Sequence, residues 1–114
     1  MLFRSKALGH DHVDVAKSYN NIASIYQVQG KYVEALELHE KSKAIRTKVL
    51  GHDHVDVANT KYNMADLLEN QGELARAGGL FRESAAISSK VHGAEHEETL
   101  DALERARRCE RGVK

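Results

Sequence analysis

Apolar and small residues recur along this chain at three- and four-residue steps. Val15, Tyr19, Ile22, Ala23 and Tyr26 form one such series, and Tyr32, Ala35, Leu38, Ser42, Ile45 and Val49 form the next. That period gathers each series on one face of an α-helix. The pattern breaks at Gln29-Gly30 and at Gln71-Gly72, where a glycine can take the left-handed conformation that ends a helix. It breaks again at Leu50-Gly51-His52-Asp53-His54. There the Asp and His side chains can cap the helix that follows, while Asp14 or Asp56 stands in a first turn and favours the helix dipole. The spacing predicts helices near residues 13–29, 31–49, 55–70, 73–91 and 96–110.

The same pattern is written twice. Leu8-Gly9-His10-Asp11-His12-Val13-Asp14-Val15-Ala16 returns unchanged as Leu50-Gly51-His52-Asp53-His54-Val55-Asp56-Val57-Ala58, an offset of 42 residues. Asn21 and Asn63, Ala23 and Ala65, Ala35 and Ala77, and Ser42 and Ser84 keep that offset, and about 20 of 42 positions agree between the copies. Small residues at these places let neighbouring helices approach closely, and a bulky side chain would push them apart. A weaker third start follows at Gly93 and His96, and Phe3-Arg4-Ser5-Lys6 lines up with Ile45-Arg46-Thr47-Lys48, the last turn of a unit. Repeats of this length cannot bury their apolar face alone and must stack. The expected organisation is a single all-α domain over residues 1–110, with repeat 1 at 8–49, repeat 2 at 50–91, a partial repeat or capping helix at 92–110, and a tail at 111–114.

Composition narrows the function. Seventeen basic residues balance seventeen acidic ones, so no net field would draw the chain to nucleic acid or to an anionic membrane. No apolar stretch approaches a membrane span, and Met1-Leu2-Phe3-Arg4-Ser5-Lys6 lacks a signal-peptide core. These features point to a soluble protein of the cytoplasm. The lone Cys109 lies in a charged run and is expected to be an incidental surface thiol.

The helix–turn–helix unit, with Gly before its second helix and Ala inside it, resembles the tetratricopeptide repeat. Its length, together with Tyr19-Asn20-Asn21-Ile22-Ala23 and Gln29-Gly30-Lys31-Tyr32-Val33-Glu34-Ala35-Leu36, is similar to the kinesin-light-chain type of that repeat. The resemblance implies a right-handed helix-turn-helix repeat solenoid, a tetratricopeptide-like superhelix of about two and a half units. Val13 and Val55 stand where the family usually has proline at the first helical position. Gly78-Gly79 falls inside a predicted helix and is expected to weaken or bend a turn there. Arg107 and Glu110 occupy the places of Ala23 and Tyr26, so the last helix reads as a degenerate cap.

The resemblance further implies that a segment of a partner protein binds in the concave groove lined by the first helix of each unit. Helical spacing puts Lys17, Asn20, Asn21, Ser24 and Gln27 there from the first unit and Asn59, Tyr62, Asn63, Asp66 and Asn70 from the second. Asp101, Glu104, Arg105 and Arg108 would extend the surface. Amides suit an extended peptide because each can both donate and accept, although Asn21 and Asn63 could equally tie one helix to the next. A clamp for a free C-terminal carboxylate is not expected, because Asn20, Ser24 and Asp101 replace the members it needs beside Asn63 and Arg105.

The histidine pairs His10/His12, His52/His54 and His92/His96, with Asp11, Asp53 and Glu95 nearby, supply ligand types suited to zinc or nickel. Each pair sits in a different turn, so capping is the expected role, and neither a metal nor a cofactor is expected. No phosphate loop, nucleophile motif or His-Glu-x-x-His helix is present, and an enzyme is not expected. The reading is a non-catalytic protein- or peptide-binding scaffold or adaptor, with cargo recognition if the kinesin-light-chain likeness extends to role. The alternative is a spacer or self-assembly segment of a longer array, associating through its exposed repeat ends.

Overall fold

Glycine turns link the helices within a unit, and histidine caps open the helices that begin at Val55 and Glu97 among the described residues. The computed structural model of the chain describes residues 13–113. The expected start at Leu8, the pair His10 and His12, and the partial turn Phe3-Arg4-Ser5-Lys6 lie outside the described residues. Five helices follow in order: α1 (Val13–Val28), α2 (Tyr32–Leu50), α3 (Val55–Asn70), α4 (Leu74–His92) and α5 (Glu97–Gly112). No strand occurs among the described residues.

The units are joined by repeated turn chemistry. Gly30 and Gly72 have φ of 80° and 84°, the left-handed region that an L side chain rarely adopts. The turns they make let Lys31 N–H donate to Tyr26 C=O at 2.8 Å and Glu73 N–H donate to Leu68 C=O at 2.9 Å, which occupies carbonyls that the helix end leaves open. Between units, His54 Nδ1 accepts from Asp56 N–H at 3.0 Å and His96 Nδ1 accepts from Glu98 N–H at 3.1 Å. These two histidines are helix caps.

Consecutive helices pack side by side, α1 on α2, α2 on α3, α3 on α4 and α4 on α5. The small residues Ala23, Ala35, Ser42, Ala65, Ala77 and Ser84 are all buried. Ala23 and Ala35 share a cluster with Leu67, which crosses from the next unit. Ala65, Leu68, Ala77 and Phe81 form a second cluster that Ala106 and Cys109 of α5 complete.

Four expectations change here. α4 runs unbroken through Gly78-Gly79, because Gly78 is where α5 crosses. A Cβ on Gly78 would stand 3.4 Å from Cys109 Cβ and 3.6 Å from Ala106 C=O. Cys109 is no surface thiol but fully buried, and burial first, then the Glu69 carboxylate, push its thiol pKa up. α5 continues two residues past its expected end and buries Thr99, Ala102, Ala106 and Cys109. These are the 42-residue counterparts of Val57, Thr60, Met64 and Leu67 in α3. Arg107 and Glu110 fall on its opposite, exposed face. At the other end, Ile22 and Ile25 of α1 are 41% and 56% exposed, whereas their counterparts Met64 and Leu67 are buried. Ile22 therefore leaves the core face that its spacing assigned to it.

The two units differ at their centres. In the second, the rings of Tyr62 and Phe81 meet edge to face at 5.2 Å. In the first, the same places hold Asn20 and His39, joined by a hydrogen bond of 3.0 Å between Asn20 Oδ1 and His39 Nδ1. His39 is fully buried and its Nε2 has no partner among the described residues. Burial first, then the charge of Arg46, hold its pKa below the usual histidine value.

The folded state therefore binds its proton less readily than the unfolded chain. Stability is whole above the unfolded pKa of about 6.5 and is lost as pH falls through the lower folded value. Denaturant titrations between neutral and mildly acidic pH should show that loss. The double variant Asn20→Tyr/His39→Phe should flatten it and add about 1 kcal/mol, the order of an aromatic pair. An unchanged pH slope would assign the loss to other groups.

Candidate functional site

The first helices α1, α3 and α5 lie alongside one another, and their facing side chains are tied at a constant spacing. Gln27 Nε2 donates to Asp66 Oδ2 at 3.3 Å, Arg105 donates to Asp66 Oδ1 at 2.7 Å, and Arg108 donates to Glu69 Oε2 at 2.9 Å. Tyr62 O–H donates to Asp101. All four pairs are 39 residues apart. That is one repeat less about one helical turn, so each first helix is displaced by a turn along its neighbour.

Arg105 is the hub of these ties. Besides Asp66 it donates to Glu69 Oε1 at 2.8 Å and to the Tyr62 hydroxyl at 2.9 Å. Its guanidinium lies over the rings of Tyr62 and Phe81, 5.2 and 4.7 Å from their centroids. Desolvation works against its charge, and the bonds to Tyr62, Asp66 and Glu69 outweigh it, leaving the pKa above the usual arginine value. Burial likewise acts to raise the Glu69 carboxyl, but the Arg105 and Arg108 bonds prevail and hold it below the usual carboxylate value. A planar fork between two carboxylates and two aromatic faces uses every recognition mode arginine has.

The expected binding residues divide accordingly. Asn20, Gln27, Tyr62, Asp66 and Arg105 are half-buried and bonded within the protein. Ser24 is exposed, with its hydroxyl donating to Asn20 C=O at 3.1 Å. Lys17, Asn21, Asn59, Asn63 and Asn70 make no side-chain hydrogen bond among the described residues, and all five are exposed, Asn70 at the end of α3. Asn21 and Asn63 therefore do not tie helices together; Gln27, Asp66 and Arg105 do. Glu69, which the sequence reading missed, anchors both arginines. Its signal was present as opposite charges recurring at the 39-residue spacing.

A cleft of about 260 Å³ opens beside this row, between α3, α4 and the start of α5. Asn59, Tyr62 and Asp101 border it together with Ser84, Ser88, Glu97 and Glu98, of which the last four were not foreseen as site residues. Among the described residues no group of three or more His, Cys, Asp or Glu side chains is placed to hold a metal ion, and no helix is long and apolar enough to cross a membrane.

Arg105→Ala should remove the hub and leave Asp66 and Glu69 facing each other with only Arg108 to offset them. Chemical denaturation should report a loss of about 2–3 kcal/mol, the scale of buried charge-assisted bonds. Arg105→Lys should recover less than half of it, because an ammonium cannot bridge the two carboxylates and stack on both rings.

Comparison with known sequences and structures follows the same lines as the geometry. Profiles of the tetratricopeptide repeat match residues 14–77 and 57–98. The nearly identical TPR-like repeats of a Podosopora anserina protein assigned as a kinesin light chain superpose with a TM-score of 0.80 at 28% identity, over 96% of this chain and 53% of that one. A single-residue variant of those repeats gives 0.79 at 27% identity over the same shares. BtubC (BKLC) from P. vanneervenii superposes with a TM-score of 0.74 at 20% identity over 99% of this chain and 53% of that one, a likeness of fold alone. The chain thus spans about half the length of the solved structures it matches. No curated protein matches its sequence significantly.

Proposed function

Because the chain belongs to the tetratricopeptide repeat family, whose units generally serve protein interaction, we propose that it is a non-catalytic scaffold holding an extended segment of a partner protein along its first helices. The observation that carries this reading is the row of amides and one ammonium, Lys17, Asn21, Asn59, Asn63 and Asn70, on helices held in register by Arg105 and its partners. A peptide backbone laid along that row meets donors and acceptors that no internal bond occupies, on helices whose spacing is already set. The likeness to kinesin-light-chain repeats supports a cargo-like protein segment as the ligand, met in the cytoplasm.

A second reading rests on the ends of the array. Ile22 and Ile25 are exposed where their counterparts in α3 are buried against a preceding unit, and this favours a spacer segment that docks on further repeats or on another copy.

The two readings separate in one pair of measurements. Capture of partners from a lysate should succeed with the parent chain and fail with Asn21→Ala/Asn63→Ala at unchanged helix content. If both chains capture the same proteins, the row is not the contact surface. A mass that rises with concentration and falls back to monomer with Ile22→Gln/Ile25→Gln would favour the spacer.

A further inference from the structure

The two junctions between units can be compared residue by residue, because the chain contains both. At the first junction Arg46 of α2 reaches across to α3, donating from one guanidinium nitrogen to Asp56 C=O at 3.3 Å and to Thr60 Oγ1 at 2.8 Å. The residue 42 positions on, at the second junction, is Ser88. Where the first junction is bridged by its own guanidinium, the second has the cleft of about 260 Å³ between α3, α4 and α5.

The walls change in the complementary sense. Val55, Asp56 and Asn59 of the first junction become Glu97, Glu98 and Asp101 of the second. One carboxylate is replaced by three just where an arginine is replaced by serine. Glu98 has His92 Nε2 at 3.3 Å, and Asp101 accepts from Tyr62. The Glu97 carboxylate makes no bond among the described residues. Arg105, which donates to the same Tyr62 hydroxyl, is held by Asp66 and Glu69. Ser88 is 5% exposed, borders the cleft, and its hydroxyl has no hydrogen-bond partner among the described residues. The Ser84 hydroxyl donates to Ala58 C=O at 2.9 Å, which leaves its oxygen able to accept.

We propose that this cleft seats one arginine side chain of the partner segment, in the place that Arg46 fills from within the protein at the preceding junction. The inference rests on the groove reading above and adds the chemistry of the ligand: a segment with a basic residue that enters between α3 and α5. A planar guanidinium can bond Glu97 and Asp101 and donate to the Ser84 and Ser88 oxygens at once, whereas a lysine ammonium offers charge with less of that geometry. Small residues at 84 and 88 give the stem of the side chain its room.

The test uses the whole chain and random displayed peptides as probes. Peptides selected on it should share an arginine at a fixed place. Replacing that arginine by citrulline, neutral and nearly the same shape, should weaken binding roughly tenfold or more, the scale of charge-assisted bonds. Ser88→Arg should abolish binding by filling the cleft from within. Glu97→Gln, at a side chain on which no contact of the fold depends, should weaken it with the circular dichroism spectrum unchanged. Selected peptides with no common basic residue, equal affinity for citrulline, or undiminished binding to both variants would overturn the proposal. If such peptides still lose affinity for Asn21→Ala/Asn63→Ala, the groove reading survives on its own. Failure to select any peptide would overturn both.

Discussion

Alanine and glycine carry the crossings between these helices, and the rest of the structure depends on how closely they let the backbones approach. Ala65 and Ala77 meet in one cluster within a unit, and Gly78 faces Ala106 and Cys109 between units. Contacts this close fix the spacing and the phase of the helices. The phase in turn sets which side chains on α1, α3 and α5 meet, and so produces the constant 39-residue separation of Gln27–Asp66, Asp66–Arg105 and Glu69–Arg108. The polar face of the array is thus a consequence of its small-residue core. An alanine at Gly78 would make ordinary contact with Cys109 and Ala106, whereas a longer side chain there would press on α5, the helix that carries Arg105.

Sequence symmetry does not extend to chemistry. The two units share their glycine turns and small residues, yet the pair at the heart of one is Tyr62 and Phe81 and of the other Asn20 and His39. The junctions diverge in the same way, one filled by Arg46 and the other open beside Ser88. The glycine turns and the small residues inside each unit are held at the 42-residue spacing, while positions between units vary, Leu36 standing where the second unit has Gly78. Variation of that kind gives a periodic scaffold a surface that differs from place to place.

The architecture was legible in the sequence because its signals are local. Glycines at 30 and 72, the His-Asp-His turns and the three- and four-residue steps each act within a few residues, and the helix ends fall within two residues of their expected places. The misreadings all concern what lies across from a residue. Cys109 stands among Arg107, Arg108, Glu110 and Arg111 in sequence, but helical phase turns it alone toward Ala65 and Phe81. Gly78 looked like a weak point because the helix that crosses it lies about 30 residues further on. Of the expected groove residues, helical spacing found the face and could not tell which members face solvent and which face a neighbouring helix. That distinction needed the one-turn displacement between first helices.

The buried pair of Asn20 and His39 bears on how the array behaves under load. Among the described residues no group pairs with His39 Nε2, and Ile22 and Ile25 of α1 are exposed, whereas the second unit closes on an aromatic pair clasped by Arg105. In a stack where each unit contacts only its neighbours, tension applied to the two ends is shared equally but resisted unequally. The unit built on Asn20 and His39 is the one such a pull should open first, ahead of the unit clasped by Arg105.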